Sequence, residues 1–189
     1  MNQEPYTTVA SVYNYLGEEA PSESSAEYQE MESWILAMSA WIDRYCNRII
    51  FRSEEESISY DGDGSRMLVI QDTINPTVTI DGTEREVYTY PTNKPYASRI
   101  RLGDGWSFNR GIQNVVVTGV PGIAVYLPED VQQACNVLVA GIFNAKSVQG
   151  KVGTSESIGS YSVTYREPAQ QTDFANVKTI LGGYKRIAI

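Results

Sequence analysis

The sequence predicts an α+β protein: a small antiparallel helix bundle with an inserted antiparallel β domain and a β-hairpin before the C-terminal helix. Three observations predict it. Two long segments, 24–48 and 128–147, place apolar residues at three- and four-residue steps, the period of one helix face. Between them, 49–122 divides into short runs rich in Val, Ile, Thr and Tyr, punctuated by Asp-Gly and Pro. An alternating segment, YSVTY (161–165), and one more helical pattern follow. At 189 residues the chain fits one domain with an insertion, the helical core at 1–48 and 123–189 and the β-rich insertion at 49–122.

From the N-terminus, Thr7 or Thr8 can cap a short helix whose apolar positions are Val9, Val12, Tyr13 and Leu16, with Gly17 ending it. The acidic linker EEAPSESS leads to Ser24 and Glu27, which read as a capping box. Tyr28, Met31, Ile35, Met38, Ile42 and Tyr45 then form a seam that Trp34, Ala37 and Trp41 widen. So broad an apolar stripe implies cover on two sides, by the protein's own core and by a further body, for which a neighbouring subunit is one candidate.

In the β block, 49–60 and 67–70 read as a hairpin around DGDG, and 76–82 with 86–90 as a second. Strands at 98–102 and 114–122 flank a Gly/Trp loop, and the local spacing predicts sequential antiparallel pairing. Pro128 opens the second long helix with Glu129 and Asp130 in its first turn, where they oppose the helix dipole. Val131, Ala134, Leu138 and Ile142 form its stripe, with Cys135 and Phe143 alongside. A polar Gly/Ser stretch spans 147–160, and Pro168 ends the alternating strand. Phe174, Val177, Leu181 and Tyr184 mark the last helix, which Gly182 and Gly183 weaken by roughly 1 kcal/mol each relative to Ala. The tail RIAI is apolar and points to docking on a partner.

Composition removes several function classes. No apolar run reaches the roughly 20 residues that span a bilayer. MNQEPYTTVA has neither a basic nor an apolar signal region, which predicts synthesis in the cytosol. Histidine is absent, which excludes His-based triads and most zinc sites. Cys46 and Cys135 read as buried free thiols. The net charge of −8 argues against duplex binding, which needs a basic face. Residues 1–43 hold eight acids and no Lys or Arg, whereas the last fourteen hold Lys178, Lys185 and Arg186 and no acid. That split fits head-to-tail attraction between copies, or simply a solvated acidic helix and an ordinary helix end.

The candidate sites are thin. Asp61, Asp63, Ser65 and Asp72 imitate calcium-loop spacing, but Arg66 stands where Gly is needed, and an Asp-Gly turn explains the same residues. Asp104, Trp106, Phe108 and Arg110 could stack on a sugar or base, or pack on the sheet or a neighbouring chain. Glu54, Glu55 and Glu56 read as a solvated strand edge. Carboxylates are plentiful, yet nothing marks a convergent pair, and no nucleophile elbow or phosphate loop is present. The sequence predicts no enzyme activity, no metal and no cofactor.

The order of elements resembles the head–tail connector (adaptor) proteins of tailed bacteriophages, which form a ring beneath the portal. The residues that carry the resemblance are YLG (15–17), AWIDRYCNR (40–48) and the strand leading to Tyr60-Asp61-Gly62, then VVVTGVPG (115–122), Pro128-Glu129-Asp130-Val131 with Ala134, SIGSYSVTYRE (157–167) and ILGGYKR (180–186). It covers most of the chain, with 76–112 as an enlarged β insertion. The resemblance implies a non-enzymatic virion protein, made in the host cytoplasm and placed in the neck. It would form a homo-oligomeric ring, twelve-fold by the family pattern, between portal and the downstream neck or tail protein. Genomic DNA would pass through without sequence-specific binding, and no membrane is involved. Under this reading Met31, Trp34, Met38 and Trp41 are ring-interface candidates. Phe174, Val177, Leu181, Tyr184, Lys185, Arg186, Ile187 and Ile189 are portal-docking candidates, and the stretch 147–160 orders on assembly. The alternatives are a stopper or tail terminator, expected to be mostly β, or a sugar- or protein-binding module built on the β block.

Overall fold

The computed structural model describes residues 3–103, 105–147, 155–158, 161–164 and 170–186, and gives side-chain burial at 3–103, 105–146 and 175–186. Among these residues four helices and eight strands occur. In order they are α1 (Val9–Leu16), α2 (Ala26–Cys46), β1 (Glu56–Gly62), β2 (Met67–Ile80), β3 (Thr83–Arg85), β4 (Val87–Tyr90), β5 (Tyr96–Leu102), β6 (Gly111–Pro121), α3 (Glu129–Ser147), β7 (Ser155–Ile158), β8 (Tyr161–Thr164) and α4 (Gln170–Gly182). The class is α+β, and the antiparallel β7–β8 hairpin precedes the last helix. The chain divides into two compact units, Met1–Ile42 with Glu129–Tyr184, and Asp43–Pro128 with Lys185–Ile189.

In the first unit, local chemistry sets the helix ends. Thr8 is extended and its hydroxyl accepts the Ser11 N–H, while Gly17, at φ 75°, ends α1. There the Glu18 N–H returns to the Tyr13 carbonyl and the Gly17 N–H to Asn14, so the last carbonyls of the helix are satisfied. The cap of α2 lies one residue beyond the predicted box: Ser25 Oγ accepts the Tyr28 N–H at 3.1 Å. Glu27 is turned to another task, accepting the Tyr13 hydroxyl at 2.7 Å. The core of this unit draws on Tyr6, Val9, Val12, Met31, Ile35, Ile42, Val131, Ala134, Leu138, Val139, Val177 and Leu181, all nearly or fully buried.

α2 ends at the start of the second unit. Asn47 takes a left-handed φ of 53°, the Arg48 N–H returns to the Asp43 carbonyl and the Asn47 N–H to Arg44. The same closing motif that Gly17 serves is here served by an asparagine, whose short polar side chain tolerates that region.

The sheet departs from sequential pairing. Its order is β1-β6-β2-β5-β4, with β3 on β2. The strands flanking DGDG do not form a hairpin: β1 pairs with β6, with Ile58 opposite Val117, and β6 lies between β1 and β2. The predicted strands 67–70 and 76–82 are one bent strand, β2. Its first half pairs with β5 and its second with β6 and β3. Pro76 hid this continuity. It stands where the β2–β6 register shifts, between Ile74 and Thr77, so its missing N–H removes nothing from the ladder. Asp72, the other apparent break, is buried against Arg48 at 2.8 Å. Asp81 and Gly82, with φ 50° and 78°, form the two-residue turn into β3. Leu68, Ile70, Val78, Ile80, Ile100, Leu102, Phe108, Val115 and Val117 fill the core beneath the sheet.

Candidate functional site

The buried stripe of α2 is Met31, Ile35, Ser39, Ile42 and Cys46, which keeps Met31, Ile35 and Ile42 of the apolar seam read in the sequence and puts Ser39 and Cys46 inside in place of Met38 and Tyr45. Ser39 earns its buried place by hydrogen bonding. Its hydroxyl donates to the Ile35 carbonyl at 2.8 Å and accepts the Tyr6 N–H at 2.9 Å, pinning the N-terminal segment to α2. No hydrophobicity pattern would single it out. A second polar tie joins α1 to α3: Thr7 Oγ1 donates to Asn136 Oδ1 at 2.5 Å, and Asn136 Nδ2 donates to Ser11 Oγ at 3.1 Å.

Of the four ring candidates, Met31 is fully buried, in the core of the first unit. Trp34, Met38 and Trp41 are half-buried along one flank of α2. The Lys146 ammonium lies 5.4 Å from the Trp34 ring centre and pairs with Glu30, so that flank is partly roofed.

The docking candidates separate as well. Val177 and Leu181 are 1% and 0% exposed, so they belong to the core of the first unit. The Tyr184 hydroxyl bonds both Asp130 oxygens, at 2.7 and 2.9 Å, tying the end of α4 to the start of α3. In the second unit the Lys185 ammonium sits 3.9 Å from the Tyr45 ring centre, and the Arg186 N–H donates to the Cys46 carbonyl at 2.8 Å. The side chains of Phe174, Ile187 and Ile189, and most of 147–160, lie outside the described residues.

The calcium-like residues are not gathered. Asp61 accepts the Gln113 N–H at 2.7 Å, Asp63 accepts the Ser65 N–H at 2.8 Å, and Asp72 is committed to Arg48. Bonds from Ser65 hold the Asp63 carboxyl below its usual range. Among the described residues no cluster of three His, Cys, Asp or Glu could hold a metal. The aromatic loop divides likewise: Phe108 is fully buried in the sheet core, while Trp106 is 58% exposed with the Arg85 guanidinium 4.8 Å from its ring. A cavity of about 280 Å³ opens beside Trp106, lined by Ile80, Asp81, Thr83, Arg85 and Asn109 among others. Both thiols are free and buried, and burial is the main cause pushing each up to about 11. They are inert structural cysteines.

Neither a protein-family model nor a curated protein sequence matches the chain. Solved structures do. A chain in the "Neck of empty GTA particle computed with C6 symmetry" aligns over 96% of this chain and 90% of its own, at TM-score 0.56 and 14% identity. A chain in the "Neck of native GTA particle computed with C12 symmetry" aligns over 100% and 97%, at TM-score 0.53 and 12% identity. GTA denotes a gene transfer agent, a phage-like particle. Nearly end to end, the chain shares the fold of neck proteins of phage-like particles.

Proposed function

We propose that this protein is a structural head–tail adaptor of a tailed phage or phage-like particle. Twelve copies close a ring beneath the portal, extend the DNA channel and offer a seat to the next neck or tail protein. The observation that carries the reading is whole-chain agreement in fold with neck proteins from assemblies computed with C6 and C12 symmetry. A match covering 96% of the chain includes both the helical unit and the sheet, which a shared helix bundle alone would not produce. Helices of 8, 21, 19 and 13 residues make up about a third of the chain, which favours an adaptor over the mostly β stopper or terminator.

In this reading the protein sits in the virion neck, is made in the host cytoplasm and performs no catalysis. The half-buried flank Trp34, Met38 and Trp41 contributes to the ring interface, and Tyr184, Lys185 and Arg186 with the apolar tail mark the portal side. DNA passes through a ring of copies that each carry a net charge of −8, which disfavours gripping phosphate. The test is mass measurement of the protein alone and mixed with its portal. Ring stoichiometry in the mixture supports the proposal. A protein that stays monomeric and ignores the portal refutes it.

A further inference from the structure

The outward face of β2, β5 and β4 is built unlike an ordinary solvated sheet. Residues in register on neighbouring strands point to the same side. Met67, Arg101 and Tyr88 therefore form one row across three strands, and Val69, Arg99 and Tyr90 form a second. Their neighbours Leu68, Ile100 and Leu102 are buried on the opposite side. Met67, Val69 and Tyr88 are 42%, 57% and 56% exposed, and both arginines are exposed. Neither arginine forms an ion pair among the described residues. Residues 87–103 hold Lys94, Arg99 and Arg101 and no acid, in a chain of net charge −8. Small polar pairs also occur on the outward side of the sheet, as where Ser57 meets Thr118. Arginine, tyrosine and methionine with few acids is the composition of an interface centre.

We infer that this sheet face is a subunit–subunit contact that receives the acidic α1–α2 connection and α2 of a neighbouring copy. The inference rests on the ring reading and supplies the unlike pair of faces that a heterologous ring requires. Charge complementarity identifies the occupant. Residues 1–43 carry eight acids and no base, and Glu18, Glu19, Glu23, Glu27 and Glu32 are exposed. A patch with two arginines at its centre, set among aliphatic and phenolic side chains, is too sparse to grip a duplex, whose binding grows with each phosphate neutralised.

The test measures ring formation by native mass spectrometry, with and without portal, for the wild type and charge-altered variants. Arg99→Glu/Arg101→Glu reverses one face, and Glu18→Lys/Glu19→Lys/Glu23→Lys reverses the other without touching Glu27, which holds Tyr13. Each set alone lowers the ring population on the order of tenfold or more. The chain carrying both sets recovers it, because the introduced glutamates then face the introduced lysines. Arg99→Gln/Arg101→Gln, a milder change on the same exposed positions, carries the test if reversal disturbs the strand. Undiminished assembly of a folded arginine variant overturns the inference while leaving the ring reading intact, and so does a combined chain that folds but does not recover. Loss of affinity for DNA with unchanged assembly overturns it in favour of a nucleic-acid surface. Wild-type protein that assembles under neither condition removes the ring reading and this inference together.

Discussion

Leu181→Ala separates a core role from a docking role at the end of α4. The side chain is fully buried, in a helix that packs on α3. The substitution removes three carbons, worth about 2.4 kcal/mol of transfer free energy at about 0.8 kcal/mol per methylene. The cavity left behind raises the cost to roughly 3–5 kcal/mol, since neighbours on two helices relax only partly. For a chain of this size that corresponds to a melting temperature lower by about 6–20 °C, at roughly 2–4 °C per kcal/mol. Urea and thermal unfolding of the free protein, followed by far-UV circular dichroism, measure it. Lys178→Ala, on an exposed position of the same helix, shifts stability by no more than about 0.5 kcal/mol. Under the adaptor proposal, portal binding is then compared at a temperature where both variants are folded, and Leu181→Ala retains it. A variant as stable as wild type that no longer binds portal would refute the core assignment and restore Leu181 to the docking surface. Deleting 174–189 cannot make this distinction, because it removes Val177 and Leu181 from the core along with any docking residue.

Three further outcomes follow from the packing. Asn136→Leu leaves the buried Thr7 hydroxyl without its acceptor and costs about 1–3 kcal/mol; adding Thr7→Val recovers part of the loss, and purely additive losses would contradict the direct bond. Gly119→Ala would set a Cβ about 2.7 Å from the Ile74 carbonyl oxygen and the Thr73 methyl, so it destabilises by roughly 1–3 kcal/mol; an unchanged urea midpoint would contradict that close approach. Cys46 and Cys135 are raised from 9.0 to about 11, and burial followed by Glu27 raises Tyr13 from 10.0 to about 12. These groups hold their protons more tightly folded than unfolded, so their contribution is complete below pH 9 and is lost as pH rises through 9 to 12. The urea midpoint therefore falls between pH 8.5 and 10.5, and both thiols resist a disulfide reagent at pH 8 until urea is added; a flat or rising midpoint, or rapid native labelling, would contradict their burial.

Most helices were legible because their signals are local. Thr8, Gly17, Pro128 and the three- and four-residue apolar steps act within one or two turns. The Ser24–Glu27 box failed by one residue because Ser25 offers the same chemistry, and the Tyr13 hydroxyl claims Glu27. Trp106 and Phe108 look alike in a Gly-rich loop, yet one is 58% exposed and the other fully buried. The arginine–tyrosine rows were not legible at all, since Met67, Arg101 and Tyr88 meet only through strand register.

By itself the sequence determined the α+β class, the helices with their caps and the strand-forming character of the middle segment. Periodicity, capping and β propensity are written into neighbouring residues. Tertiary structure alone decided that β6 enters between β1 and β2, that Pro76 marks a bend rather than an end, and that Ser39 belongs inside while Trp34 remains half outside. Those choices depend on partners that are remote along the chain. Tyr60 faces Val115, and the Ser39 hydroxyl meets the amide of Tyr6. A hydrogen bond or a buried contact between distant residues forms only when the whole fold offsets the entropy of bringing them together, and no local pattern records it.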